Sequence, residues 1–233
     1  MKKVAIFDID GTIFRSSLLI QIVERFLEEG IFKKGADARF VREKIAWLDR
    51  KGSYEEYIQA VVTVFMSNLK GVAYKEFARI GAEVVAEQKD RVYRFTRDLV
   101  RDLKKKKYFL LAISHSPKGV VDHFCKQLGF NKVYGMVYEL GPLDRLTGKV
   151  VDEHLILNKG VTTRRALLRE GLTLTGSIGV GDTESDIPFL ELVEKPICFN
   201  PNAKLFAHAK RNKWRVVVER KDVVYECFTK YRE

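Results

Sequence analysis

Val4-Ala5-Ile6-Phe7-Asp8-Ile9-Asp10-Gly11-Thr12, residues 4–12, runs four apolar side chains into two carboxylates one residue apart and closes on Gly-Thr. A continuous apolar run of this length, bounded by a glycine, predicts a buried strand of a parallel sheet ending in a tight loop. Side chains alternate faces along a strand, so Asp8 and Asp10 share a side if the strand continues through them. Two carboxylates at the end of a buried strand repel each other and are costly to desolvate. A cation offsets that cost. Taken alone, the stretch also fits a strand that simply ends in a polar Asp-Gly turn.

Residues 14–90 carry a helical period instead. Leu18, Leu19, Ile22, Val23, Phe26 and Leu27 recur at helical spacing before Gly30. Phe40, Val41, Ile45, Trp47 and Leu48 make a second stripe that ends near Gly52. Ser53, followed by Glu55 and Glu56, starts a third helix with an acidic first turn. A fourth runs from about Tyr74 through Phe77, Ile80 and Val84. From residue 91 onward, helix and strand alternate. Strands are predicted at 108–113, ending at Ser114, and at 133–138, 146–151, 177–181, 196–199 and 214–218, with 146–151 returning as a hairpin arm in which Thr147 is a hairpin residue. Ser116-Pro117 predicts a helix start, with the serine as cap and the proline in first position. The expectation is an α/β fold. A doubly wound parallel sheet is built from residues 1–13 and 91–233, and a helical bundle of residues 14–90 is inserted after the first strand.

A chain of 233 residues with 46% hydrophobic and 31% charged side chains can bury a sizeable core. No apolar run approaches the roughly 18 residues that span a bilayer. The first apolar run breaks at Asp8, too early for a signal peptide. Cys125, Cys198 and Cys227 are odd in number and lack CxxC spacing, which argues against a disulfide framework or a zinc site. A cytoplasmic location with no membrane partner is therefore expected. The net charge of +11 is uneven: residues 15–90 carry +1 and residues 91–233 carry +10. Such charge invites a nucleic-acid partner, yet no zinc finger, RNA-recognition signature or basic-aromatic repeat accompanies it. The Lys104–Lys107 run precedes an apolar strand and reads as a solvated helix end.

Asp8 and Asp10, Ser114, Lys159, and Asp182 with Asp186 all fall at strand ends or in the adjoining loops. In open α/β sheets the ligand crevice lies outside those ends. The order and identity of these residues resemble the haloacid dehalogenase-like phosphohydrolase superfamily. Asp8-Ile9-Asp10-Gly11-Thr12 resembles its first motif, Ser114 its second, Lys159 its third, and Gly181-Asp182-Thr183-Glu184-Ser185-Asp186 its fourth. The Ser114-His115-Ser116-Pro117 segment, the Leu146–Val150 arm and the position of the helical insertion are similar to the phosphoserine-phosphatase-like subfamily IB.

The resemblance implies a Rossmann-like core, a helical cap and hydrolysis of a small phosphate monoester. It implies Mg²⁺ held by Asp8, Asp182 and the Asp10 backbone carbonyl, with Asp186 supporting the shell. Asp8 is then the nucleophile and Asp10 the acid and base. Ser114 and Lys159 bind the phosphoryl oxygens, aided by the Gly11 and Thr12 amides. In phosphoserine phosphatases a glutamate nine residues after the nucleophile helps bind the amino group; here that position is Ser17. Arg15 reads as a contact for an anionic leaving group or as a surface residue, and Arg50 as an exposed helix-end arginine or a second substrate contact. Two rival readings remain. A receiver domain shares the acidic pair, hydroxyl and lysine, but has no insertion after its first strand. A phosphatase of nucleotides or nucleic-acid ends would use the basic surface.

Overall fold

A computed structural model of the chain describes residues 1–33 and 35–227. The first strand, β1 (Lys2–Phe7), is buried from Val4 to its end. Five helices follow: α1 (Leu18–Glu28), α2 (Ala38–Leu48), α3 (Tyr54–Leu69), α4 (Tyr74–Gln88) and α5 (Arg94–Lys105). Then come β2 (Phe109–Pro117), α6 (Lys118–Leu128), β3 (Lys132–Leu140), β4 (Leu146–Val151), α7 (Glu153–Leu157) and α8 (Lys159–Glu170). The chain continues through β5 (Leu172–Gly181), α9 (Ile187–Leu190), β6 (Lys195–Phe199), α10 (Ala203–Asn212), β7 (Arg215–Arg220) and β8 (Val223–Cys227).

Among the described residues the strands form one sheet of eight, in the order β4-β3-β2-β1-β5-β6-β7-β8. It is parallel from β3 to β7, and each outermost strand is antiparallel to its neighbour. The chain winds outward from β1 to β4, then crosses back to β5 and winds the other way. The order therefore reverses between β1 and β5, and the ligand crevice of such a sheet lies beyond the carboxyl ends of these two strands. Asp8 follows β1 directly and Asp182 follows β5 directly.

Helices cover both sheet faces, which is why the central strands are apolar on both sides. On one face Val4, Ile6, Leu111 and Ile113 pack with Ala166 of α8, Phe189 of α9 and Leu205 of α10. The opposite face shares a single apolar core with the inserted helices. Phe26, Phe32, Phe65 and Phe77 cluster among α1, α3 and α4, with ring centroids 4.7 to 6.4 Å apart. Phe65 and Phe77 reach Tyr138 of β3 at 5.4 and 6.2 Å. α3 begins as expected: Ser53 Oγ accepts the Glu56 N–H, and Glu56 accepts the Ser53 N–H in return. Among the described residues no helix is long and apolar enough to cross a membrane.

The structure departs from the sequence reading in several places. β1 stops at Phe7 rather than continuing through Asp10. The Asp8 N–H still donates to the Val180 carbonyl at 2.9 Å, but Gly11 then turns the chain at φ 77°. Strand alternation therefore does not set the two carboxylates. β2 runs on to Pro117, because Ser114 Oγ accepts the Ser116 N–H at 2.9 Å and keeps the segment extended. The residue before α6 is consequently Pro117, not Ser116, and no side chain caps this helix. α7 and the edge strand β8 were not expected. The β7–β8 turn uses Lys221 at φ 55° with Asp222, without the Asn-Gly or Asp-Gly signal of a tight hairpin. The β3–β4 hairpin is present, and Thr147 donates to Glu139 across it at 2.7 Å.

A shared core couples the inserted helices to the sheet in unfolding. Phe65→Ala is expected to lower stability by about 3–5 kcal/mol. Urea titration followed by tyrosine fluorescence and by far-ultraviolet circular dichroism checks this, and both probes are expected to report one coincident transition. Separate transitions would show that the helices unfold on their own.

Candidate active site

The site is assembled by three turns that meet at the carboxyl ends of β1, β2 and β5. Lys159 opens α8, where Asn158 Oδ1 accepts the Gly160 and Val161 N–H groups, each at 3.1 Å. That cap directs Lys159 inward, and its side chain is 2% exposed. Its Nζ donates to Asp8 Oδ1 at 2.6 Å and to Asp186 Oδ1 at 2.5 Å. The other Asp186 oxygen accepts the Asp182 and Thr183 N–H groups at 2.9 and 3.0 Å. Both Asp186 oxygens are thus engaged in holding neighbours. Asp182 Oδ1 accepts the Thr12 hydroxyl at 3.2 Å.

One carboxylate oxygen from each of Asp8, Asp182 and Asp186 lies within 4.8 Å of the others. Three hard, negatively charged donors at this spacing suit a small divalent cation. Their electrostatics agree. Burial raises the Asp8 pKa to about 7, against the opposing pull of Lys159. Burial also raises Asp182, and Asp8 adds to the shift. Burial works against the charge of Lys159, but Asp186 and Asp8 outweigh it and hold the ammonium protonated.

Two glycines make the crowding possible. A Cβ on Gly11, already at φ 77°, would lie 2.0 Å from Asp182 Oδ2. A Cβ on Gly181 would lie 2.5 Å from Asp186. The first glycine lets the β1 turn touch the β5 turn.

Asp10 stands apart from this cluster. Its Oδ1 accepts the Leu18 N–H at the start of α1, at 2.5 Å, and its Oδ2 accepts the Ser114 hydroxyl at 2.8 Å. Burial raises its pKa, and the two hydrogen bonds oppose the rise. Its carboxylate is therefore not among the clustered metal donors; it faces the amino end of a helix, where a negative charge is favoured.

Residues 5–191 match the haloacid dehalogenase-like hydrolase family. The chain belongs to this family. Among curated relatives of this hydrolase, a histidinol-phosphatase of Neisseria meningitidis serogroup C is 25% identical over 222 residues, covering 93% of this chain and 99% of that protein. The phosphoserine phosphatase SerB1 of Mycobacterium tuberculosis is 24% identical over 217 residues, covering 91% of this chain and 69% of that protein. A structure of a phosphoserine phosphatase aspartyl-phosphate analogue superposes with a TM-score of 0.62 at 20% identity, covering 95% of each chain. A Bordetella pertussis protein of unknown function superposes with a TM-score of 0.70 at 19% identity, covering 93% of this chain and 98% of that one. At these identities the two structures share the fold with this hydrolase.

Two adjoining cavities open at the site. The smaller, about 360 Å³, is lined by Asp8, Asp10, Ser17, Lys159 and Asp182. The larger, about 700 Å³, is lined by Arg15 and Arg50 and also reaches Gly11 and Asp182. The Gly11 amide is already engaged. The Gly11 N–H donates inward, to the Phe14 and Ser16 carbonyls at 3.0 and 2.9 Å, because the turn closes on itself. Thr12 turns its hydroxyl onto Asp182 and is fully buried. Ser114, also fully buried, donates to Asp10 and so orients it. His115, quoted within the Ser114–Pro117 segment but given no role there, lines the smaller cavity with a buried, unpartnered Nε2. Burial and the nearby Lys159 lower its pKa to about 4, so it is neutral at pH 7. Its place beside Ser114 was the available signal.

Removing the ammonium leaves buried carboxylates uncompensated. Lys159→Met is expected to cost about 3–5 kcal/mol of stability at pH 7.5. The loss should shrink at pH 5, where the raised pKa of Asp8 lets it take up a proton and shed its charge. Urea denaturation at both values tests this; an equal loss at each would show that packing, not charge, is responsible.

Proposed function

We propose that this hydrolase is a Mg²⁺-dependent phosphatase that cleaves a small phosphate monoester through an aspartyl-phosphate on Asp8. The observation that carries the reading is the buried Asp8 carboxylate, paired with Lys159 and clustered with Asp182 and Asp186 at the switch point of the sheet. Burial and mutual repulsion raise the pKa values of Asp8 and Asp182, and a bound cation would offset both costs. Mg²⁺ fits that donor set, and when bound it supplies positive charge between a carboxylate and a dianionic ester. Asp8 and Asp182 would hold it directly, and Asp186 would position Lys159 and the Asp182 backbone around it. In this reading residues 1–13 and 91–233 are the catalytic core and residues 14–90 the cap.

Asp8 Oδ attacks phosphorus, forming an acyl-phosphate bond as the ester P–O bond breaks. Lys159 offsets the charge that spreads over the phosphoryl oxygens. Asp10, whose pKa burial raises, gives a proton to the departing alkoxide. The carboxylate it leaves is stabilised where it stands by the Leu18 N–H and the Ser114 hydroxyl. It then takes a proton from water as that water attacks the acyl-phosphate, releasing inorganic phosphate and restoring Asp8. The relatives named as histidinol-phosphatase and phosphoserine phosphatase support a phosphomonoester as substrate.

Hydrolysis of 4-nitrophenyl phosphate should require Mg²⁺ and stop with a chelator. Asp8→Asn is expected to fall to background, and Asp10→Asn to lose about 10²–10⁴ in kcat. Turnover by Asp8→Asn at the wild-type rate would sink the assignment. Mg²⁺ should also raise the melting temperature more at pH 8 than at pH 5.5. At the lower pH the cation must displace protons held by Asp8 and Asp182, because their folded pKa values are raised. A thermal-shift series reads this directly, and a shift independent of pH would remove these carboxylates from the metal site.

A further inference from the structure

The larger cavity has a chemistry of its own. It shares Tyr54, Asp182, Thr183 and Asn202 with the smaller one, so a ligand seated on the catalytic carboxylates can extend into it. Its aromatic wall is ordered: Trp47 stacks on Tyr57, with centroids 5.7 Å apart and an 18° interplanar angle, and meets Tyr54 edge-on at 5.4 Å. Tyr93 also lines the cavity, with the Arg15 guanidinium 5.4 Å from its ring centroid.

The charges are one-sided. Arg15, Arg50 and Arg91 line the cavity, and none is paired with a carboxylate among the described residues. Arg91 reaches only the Gln21 side-chain oxygen, at 3.5 Å. The remaining cation, Lys44, is neutralised by Glu24 at 2.9 Å. The cap and loop acids of the smaller cavity are also engaged, since Lys204 pairs with Glu55 at 2.5 Å and with Glu184 at 2.9 Å. At Ser17 there is no carboxylate to receive an ammonium.

We propose that the larger cavity binds the leaving group of the substrate, and that this leaving group carries a flat ring and a second anionic group. The proposal rests on the phosphatase reading above. Guanidinium groups match carboxylate or phosphate oxygens in a planar, two-point geometry. The aromatic wall receives a ring face or edge. A volume of about 700 Å³ lies within the range of small-molecule sites. A cationic amine in the same place would meet three unpaired guanidiniums.

A matched pair of esters tests this. 4-Carboxyphenyl phosphate and 4-carbamoylphenyl phosphate are nearly isosteric, and the carboxamide is the more electron-withdrawing, so intrinsic reactivity favours the neutral ester. Wild-type kcat/KM is nonetheless expected to be at least about tenfold higher for the carboxylate, the effect of one charge-assisted hydrogen bond. The corresponding benzylphosphonates, 4-carboxy and 4-carbamoyl, cannot be hydrolysed. Calorimetry should show the same preference in their affinities. Arg50→Ala and Arg91→Ala should each reduce both ratios, and the double variant should bring them near one. Arg169→Ala, on the exposed end of α8, should leave the ratios as in wild type.

Equal affinity for the two phosphonates, or a preference that survives the double variant, overturns the proposal. A phosphonate preference without Asp8-dependent hydrolysis of either ester would instead reject the phosphatase reading and leave the cavity assignment standing.

Discussion

Everything at the site turns on one ammonium buried between two carboxylates. Lys159 Nζ stands 2.6 Å from Asp8 and 2.5 Å from Asp186. At an effective dielectric of about 20, each contact is worth ~6 kcal/mol of Coulomb attraction. Desolvating each ion costs several kcal/mol in return. The trio therefore comes close to breaking even, and well-packed apolar residues would stabilise the fold as well or better. What the trio provides is an Asp8 carboxylate with a fixed direction. Asp182 adds a third carboxylate that Lys159 alone does not neutralise, and burial first, then repulsion among the carboxylates, raises the pKa values of Asp8 and Asp182. A site short of positive charge is poised to receive a cation and, with it, an anion.

The second constraint is mechanical. Asp10 is the ligand of the first free N–H of α1, so the proposed acid and base is fastened to the first inserted helix as well as to the β1 turn. Thr96 of α5 donates to the Thr12 carbonyl at 2.8 Å and fastens the other end of the insertion to the same turn. Tyr93 N–H donates to the Ile13 carbonyl at 2.9 Å beside it. The helices between β1 and β2 thus enter and leave the sheet at the β1 turn. Their far side is joined to β3 through Phe65, Phe77 and Tyr138. A displacement of α1 is transmitted to the Asp10 carboxylate through a single hydrogen bond.

Much of this was legible in the chain because it is local. The apolar run of β1 gave the strand, the glycine gave the turn, and Ser53 with Glu56 gave the start of α3. The strand-end positions of Asp8 and Asp182 gave the crevice, whereas Lys159 comes to it from the start of α8, after α7 rather than after a strand. What the chain did not show was where those side chains point. Asp8 and Asp10 both line the smaller cavity, but with different partners, Lys159 for the first and the Leu18 N–H for the second. The Thr12 hydroxyl steadies Asp182 across 170 residues of chain, a contact that no local pattern announces. His115 was hidden because a lone histidine has no pattern; only burial and the absent partner of its Nε2 single it out. Arg50 was read mainly as an exposed helix end. It is exposed, but its left-handed backbone at φ 62° belongs to the turn after α2, and the side chain lines the larger cavity.

The excess charge divides in the same way, between local and long-range roles. Lys104 and Lys105 sit in the last turn of α5, where the helix dipole favours them, and need no partner to explain their presence. Lys204, near the start of α10, joins Glu55 of α3 to Glu184 in the turn after β5. That contact crosses from the inserted helices to the sheet domain at the edge of the smaller cavity. It is exposed, so its contribution to stability is small and screened by salt. Its consequence is for selectivity. It neutralises Glu55 and Glu184 on the wall of the smaller cavity, while Arg15, Arg50 and Arg91 of the adjoining larger cavity have no carboxylate partner among the described residues. The net charge of +11 says only that the protein is basic; the pairing pattern says where that charge remains available to a ligand.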